Sequence, residues 1–227
     1  MPPTNIILIS SDQHRFDCVG ANGHPLLRTP SLDRIAAEGI NFTHAFTPIP
    51  LCTPARNCLL SGQWSSEHLA IANYDTEAPR AMRESLPTFS GLLREVGYWL
   101  GYVGKWHVDS QRGPEHYGWD EYVPEGQYFR WRSEQGLPDQ PRDQQWFGQT
   151  DPHITPDQSK LAWGADHLIR MLEERVADSA PFFLRWDPSE PHLANRPPEP
   201  YASMYPADQI EPWPSFGETF EGKPWIQ

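Results

Sequence analysis

Cysteine is scarce in this chain: Cys18, Cys52 and Cys58 are the only three, too few for a disulfide framework. Positive charge is scarce as well, with 18 Lys and Arg against 30 Asp and Glu and a formal net charge of −12. That balance excludes a nucleic-acid partner, and any anionic ligand must be held by a local cationic pocket. No apolar run approaches the ~20 residues that span a bilayer, so no membrane partner is expected. Met1-Pro2-Pro3-Thr4 lacks the basic segment that opens a signal peptide, which gives a cytoplasmic reading. A periplasmic or secreted location is left to the case in which an export segment has been trimmed. There is no internal repeat, and 227 residues suffice for one large domain with a sizeable core.

What is present alternates between short apolar runs and amphipathic stretches. Asn5 to Ser10 is β-branched and continuously apolar, the pattern of a strand buried on both faces of a parallel sheet. A helix is expected from Pro30, capped by Thr29, with Leu32, Ile35 and Ala36 on one face and Gly39 closing it. Ile40 to Phe46 reads as the next strand. A second helix opens at Ser85-Leu86-Pro87, where Phe89, Leu92, Leu93 and Val96 recur at helical spacing before Gly97. Tyr98 to Val103 is another strand. Residues 110–155 carry Pro, Gly, Gln and charged residues without a period and are expected to be surface loops. Their aromatics (Trp119, Tyr122, Tyr128, Phe129, Trp131, Trp146) suit either a substrate mouth or a cover over the core. Leu161, Ala165, Leu168, Ile169, Leu172 and Val176 form the apolar stripe of the longest helix, over 156–176, and Pro181 to Trp186 is the last strand.

Strands alternating with helices imply an α/β fold with a mainly parallel sheet flanked by helices, and such sheets bind ligands beyond the carboxyl ends of their strands. Asp12, Cys52, Lys105, His107 and His192 each follow an expected strand. Singly, each has an ordinary reading as a turn, surface or satisfied polar residue. Together they define one edge on which chemistry would converge. Within Pro50 to Gly62, Thr53 is an N-cap candidate and Pro54 suits the first helical position, which sets Cys52 over a helix N-terminus. The amides there favour an anion, and Arg56 in the first turn adds a fork of donors for a tetrahedral oxyanion.

The run Cys52-Thr53-Pro54-Ala55-Arg56, followed by an apolar pair and Ser61-Gly62, resembles the signature of the type I sulfatases, in the alkaline phosphatase superfamily. It departs at Ser61. Gly97 to His107 is similar to the second signature of that family, departing at Leu100, and Glu190-Pro191-His192 resembles its later histidine motif. The resemblance implies a sulfuric ester hydrolase in which Cys52 is oxidised by a formylglycine-generating enzyme, giving a hydrated aldehyde as nucleophile. It implies that Asp12, Gln13 and residue 52 hold one divalent metal, with calcium first and magnesium or manganese as alternatives. Arg56 would support the hydrate, Lys105 and His107 hold the sulfate and hydrate oxygens, and His192 contact the sulfate or protonate the leaving group. The substrate class is a sulfated sugar or a small aromatic or alkyl ester.

Two departures shape the expectations. Gln13 stands where many sulfatases carry a second aspartate, and phosphonate monoester hydrolases and choline sulfatases share the Asp-Gln pair. The remaining metal ligands and a further lysine of the family fall later than Gln227. Residues 1–227 are therefore expected to be an incomplete N-terminal catalytic domain that needs a C-terminal portion or a partner chain. The competing readings are a phosphonate monoester or phosphodiester hydrolase on the same site, an inactive anion-binding fragment, and a thiol redox protein using Cys52 and Cys58.

Overall fold

A computed structural model describes residues 3–73, 82–141 and 150–224. Four strands form one sheet: β1 (Ile6–Ile9), β2 (Trp99–Gly104), β3 (Glu121–Pro124) and β4 (Phe182–Asp187). All pairings are parallel, in the order β1-β4-β2-β3. Among the described residues six helices accompany them: α1 (Pro30–Glu38), α2 (Cys52–Ser61), α3 (Ser65–His68), α4 (Phe89–Glu95), α5 (Gln127–Glu134) and α6 (Lys160–Val176). The α/β class and the parallel sheet agree with the sequence pattern.

The pleat explains how helices cover both faces. Residues two apart on a strand share a face, so Leu100 and Tyr102 of β2 point with Phe183 of β4 into one core, joined by Leu60 of α2, Trp106 and Trp119. Val103, Phe182 and Leu184 point to the other side and meet Trp163, Leu168 and Met171 of α6. Leu100, Leu184 and Met171 are fully buried, each contributing roughly 1.5–3 kcal/mol of burial. Helix ends follow local chemistry: Thr88 Oγ1 accepts from the Gly91 amide at the start of α4, and Ser159 Oγ accepts from the Ala162 amide at the start of α6.

Several expectations are corrected. β1 is an edge strand, paired only to β4 among the described residues, and its Ile7 and Ile9 are 46% and 56% exposed. Ile40 to Phe46 forms no strand; without a ladder partner its apolar residues lie in irregular, exposed chain. The α1 stripe is likewise exposed at Leu32 and Ile35. The buried face of α6 is set by Trp163, Leu168 and Met171, leaving Leu161, Ile169 and Val176 outside. The described residues of segment 110–155 include β3 and α5 where loops were expected, and Trp119 and Tyr128 are core residues at 1% and 2% exposure. Trp146 lies outside the described residues. The three cysteines are free thiols, so no disulfide joins Cys52 to Cys58.

Candidate active site

Four chain segments meet beyond the carboxyl ends of the strands. The β1 ladder runs on through Ser10, whose amide donates to the Trp186 carbonyl at 2.9 Å, and Asp12 bridges in parallel to Pro191. The Asp12 loop is thereby fixed beside the loop that carries His192. At the end of β2, Gly104 adopts φ 109°, and a Cβ there would overlap the Asp187 backbone. Only glycine admits this close approach. It lets the Lys105 amide donate to the Asp187 carbonyl at 2.9 Å, which turns the Lys105 side chain toward Asp12.

The fourth segment is the N-terminus of α2. The helix begins earlier than the Thr53 cap would give: Leu51 is the extended N-cap residue, and Cys52 is the first helical residue. Pro54 occupies the third position, where its missing N–H still leaves no bond unmade. The Thr53 amide is taken by Asn73 Oδ1 at 3.0 Å. Cys52 therefore sits in the positive end of the helix rather than above it.

Asp12 is the hub. Its Oδ2 accepts from Lys105 Nζ at 2.6 Å and from Arg56 Nη2 at 3.3 Å. The Cys52 thiol lies 3.8 and 3.7 Å from its two oxygens, and Lys105 Nζ lies 3.6 Å from the same sulfur. Burial alone would push the Asp12 carboxyl up, but Lys105, Arg56 and His192 outweigh it and hold it below the ordinary aspartate range. His192, half-buried, brings a ring nitrogen within 4.8 Å of both Asp12 and Cys52, and its Nδ1 lies 2.5 Å from the Leu193 carbonyl.

Arg56 is more internal than its expected role implies. It is 8% exposed and donates to Asp187 Oδ2 at 2.5 Å and to the Lys105 carbonyl at 2.8 Å, as well as to Asp12. Burial opposes its charge, and Tyr102, Asp187 and Asp12 more than restore it, so Arg56 stays cationic. Asp187 itself is fully buried and also accepts from Arg185 at 2.6 and 2.9 Å and from the Tyr102 hydroxyl at 2.9 Å. Sequence reasoning missed Asp187, although a carboxylate at the carboxyl end of an apolar strand was available as a signal by the rule that found Asp12.

Asp12, Cys52, Arg56, Lys105 and His192 thus converge from segments up to 180 residues apart. His107, two residues beyond Lys105, is half-buried with φ 48°. Gln13 has φ 59° and is exposed, and among the described residues no hydrogen bond ties it to the cluster. The arrangement places a nucleophile-bearing position at a helix N-terminus, beside a carboxylate and a fixed ammonium. An anion with developing negative charge would be stabilised there. The acidic hub and its hard oxygens also suit a divalent cation.

The family model described as Sulfatase matches residues 4–219. An arylsulfatase of Clostridium perfringens is 29% identical over 239 residues, covering 94% of this chain and 48% of that protein. An N-acetylglucosamine-6-O-sulfatase of Bacteroides thetaiotaomicron is 31% identical over 189 residues, covering 83% of this chain and 30% of that protein. Among solved structures, a phosphonate monoester hydrolase of Agrobacterium radiobacter superposes with a TM-score of 0.75 at 26% identity, covering 90% of this chain and 44% of that one. The chain spans less than half the length of each of these three proteins.

Proposed function

The chain belongs to the sulfatase family, and from that premise we propose that it hydrolyses a sulfuric ester through a formylglycine derived from Cys52, with one divalent metal. The observation that carries this reading is the meeting of Asp12, Cys52, Lys105 and Arg56 beyond the strand ends. Their donor set fits both groups. Residue 52 lies between hydrogen-bonding neighbours of opposite charge, and Asp12 offers a carboxylate held ionised by its surroundings.

A formylglycine at residue 52 would supply a hydrated aldehyde, a nucleophile with a second hydroxyl on the same carbon. Asp12, with residue 52 and the adjacent Gln13, would hold the metal, whose chemistry is to draw charge from the sulfate oxygens. The remaining steps fall to this chain's own side chains. Lys105 places a fixed ammonium beside residue 52, where the negative charge of the transition state collects. Arg56 keeps Asp12 and the Lys105 backbone in place from below. His107 would join Lys105 in holding the sulfate and hydrate oxygens, and His192, within 4.8 Å of Asp12 and Cys52, is the donor for the departing alcohol oxygen. A sulfated sugar or small aromatic or alkyl ester is the substrate class, and an enzyme that oxidises Cys52 is the required partner.

A second reading, a phosphonate monoester hydrolase on the same residues, is favoured by the Asp12-Gln13 pair and by the likeness to the Agrobacterium radiobacter structure. Sulfate and phenylphosphonate esters of one phenol, assayed in parallel on chain with mass-verified formylglycine, separate the two. A preference for sulfate with loss of turnover in Cys52→Ala supports the first. A preference for the phosphonate sinks it.

A further inference from the structure

Lys160 stands where local electrostatics disfavours it. It is the first residue of α6, at the positive end of the helix dipole, where a carboxylate is the favoured charge. Burial also opposes its ammonium, and Glu190 and Glu125 more than restore it, so Lys160 stays cationic. Its Nζ is the meeting point of two strand ends. Glu125, just past β3, accepts from it at 3.1 Å; past β4, Ser189 Oγ accepts at 2.5 Å and Glu190 Oε1 lies 3.2 Å away. Ser189 and Glu190 open the turn that carries His192, whose amide donates to the Ser189 carbonyl at 2.9 Å. Pro191 bridges to Asp12. The turn is therefore held on one side by Lys160 and on the other by Asp12. Among the described residues Lys160 is the ion-pair partner of both glutamates, and Glu190 Oε2 is buried with no hydrogen bond of its own. The helix that carries Lys160 is itself fixed against β4: a Cβ at Gly164 would stand 2.9 Å from the Trp186 indole nitrogen.

We propose that Lys160 is a positioning residue for His192, clamping the turn that bears this imidazole to the ends of α6 and β3. Its partners include none of Asp12, Cys52, Arg56 and Lys105 among the described residues, so it acts on the site through the turn. With an apolar residue in its place, Glu125 and Glu190 are left as like charges with no cation between them. Their repulsion moves the turn away from β3, and the His192 ring leaves its place within 4.8 Å of Asp12 and residue 52. A displaced proton donor matters most when the departing oxygen is strongly basic, because a weakly basic phenoxide leaves without a proton. This rate consequence rests on the hydrolase reading, in which His192 is the donor; the positioning itself does not.

The test reads the imidazole first. In the full chain, the His192 ring C–H resonances, assigned by their loss in His192→Ala, should shift in Lys160→Met and return toward the parent position in Lys160→Arg, which keeps the charge. On chain with mass-verified formylglycine, aryl sulfate esters of phenols with pKa values from about 5 to 10 then read the donor. Lys160→Met should lose about threefold or less in kcat with the most acidic phenol and about 10²-fold with the least acidic, the lower end of what a general acid contributes. In a His192→Ala background the same substitution should cost nothing further. Ser189→Ala removes one contact of the clamp without changing its charge and should show the same trend at smaller size, so a Lys160→Met chain that does not fold still leaves a test. The inference is overturned by unshifted His192 resonances in folded Lys160→Met, by a loss equal across the phenols, or by full additivity with His192→Ala. A parent chain without turnover, or a leaving-group dependence unmoved in His192→Ala, sinks the donor reading instead, and the resonances then decide the positioning alone.

Discussion

Replacing Asp187 by asparagine should destabilise this protein more than replacing Arg56 by methionine, although the two side chains form one ion pair. Three cations, Arg56, Lys105 and Arg185, face two carboxylates, Asp12 and Asp187. In Arg56→Met two balanced pairs survive: Lys105 with Asp12, and Arg185 with Asp187. What is lost is the hydrogen bonding of a charged group, about 1.5–3 kcal/mol. In Asp187→Asn the fully buried Arg185 and the nearly buried Arg56 face a neutral amide, and uncompensated buried charge costs about 3–5 kcal/mol. For a chain of this size each kcal/mol moves Tm by roughly 2–4 °C, so Tm should fall by about 3–12 °C for Arg56→Met and about 6–20 °C for Asp187→Asn. Thermal unfolding of both variants by near-ultraviolet circular dichroism, in one buffer, measures this. An equal or larger fall for Arg56→Met would refute the charge argument.

Gly104→Ala should lower Tm by at least as much as a residue forced into a disallowed region, roughly 1–3 kcal/mol, because a Cβ there meets the Asp187 backbone; a Tm unchanged from the parent would count against the close approach. The depressed Asp12 carboxyl contributes stability that is fully present above its unfolded pKa near 3.8 and is lost as pH falls through its lower folded value. A Tm profile over about pH 2–5 should therefore show a shallower acid limb in Asp12→Asn, and a parallel limb would contradict the shift. Removing Lys105, the first of the groups that lower it, leaves burial less opposed, so Lys105→Met should move that limb to higher pH. On matured chain the same variant should lose about 10²–10³ in kcat for an aryl sulfate ester, read by initial rates of phenol release.

The strands at 98–103 and 181–186 were legible because each is a mainly apolar run, interrupted in the second only by Arg185, and the longest helix because its pattern persists for several turns. Ile40 to Phe46 misled because β-branched and aromatic residues describe a surface that would pack well, not the neighbour that makes a strand. β3 escaped notice for the opposite reason: Glu121-Tyr122-Val123-Pro124 is short and flanked by acid and proline, and it exists because β2 offers it a ladder edge. At the site, Cys52 was legible from its helix start rather than from the strand expected before it, which does not form, whereas Asp12, Lys105 and His192 could be found by their places after strands that form. The internal engagement of Arg56 could not, since it depends on Asp187, 131 residues away in sequence and brought close only by the crossover of β4 between β1 and β2.

That crossover also dictates an order of events during synthesis. β1 emerges first, yet its ladder partner, β4, is roughly 175 residues behind it. At translation speeds of about 5–20 residues per second, Ile6 to Ile9 waits roughly 9–35 s before its partner exists. Asp12 cannot reach His192 until then, while the α2 cysteine has long left the ribosome. For the later part of that interval, the 130 residues from Cys52 to Phe182, Cys52 is an accessible side chain on an unassembled chain.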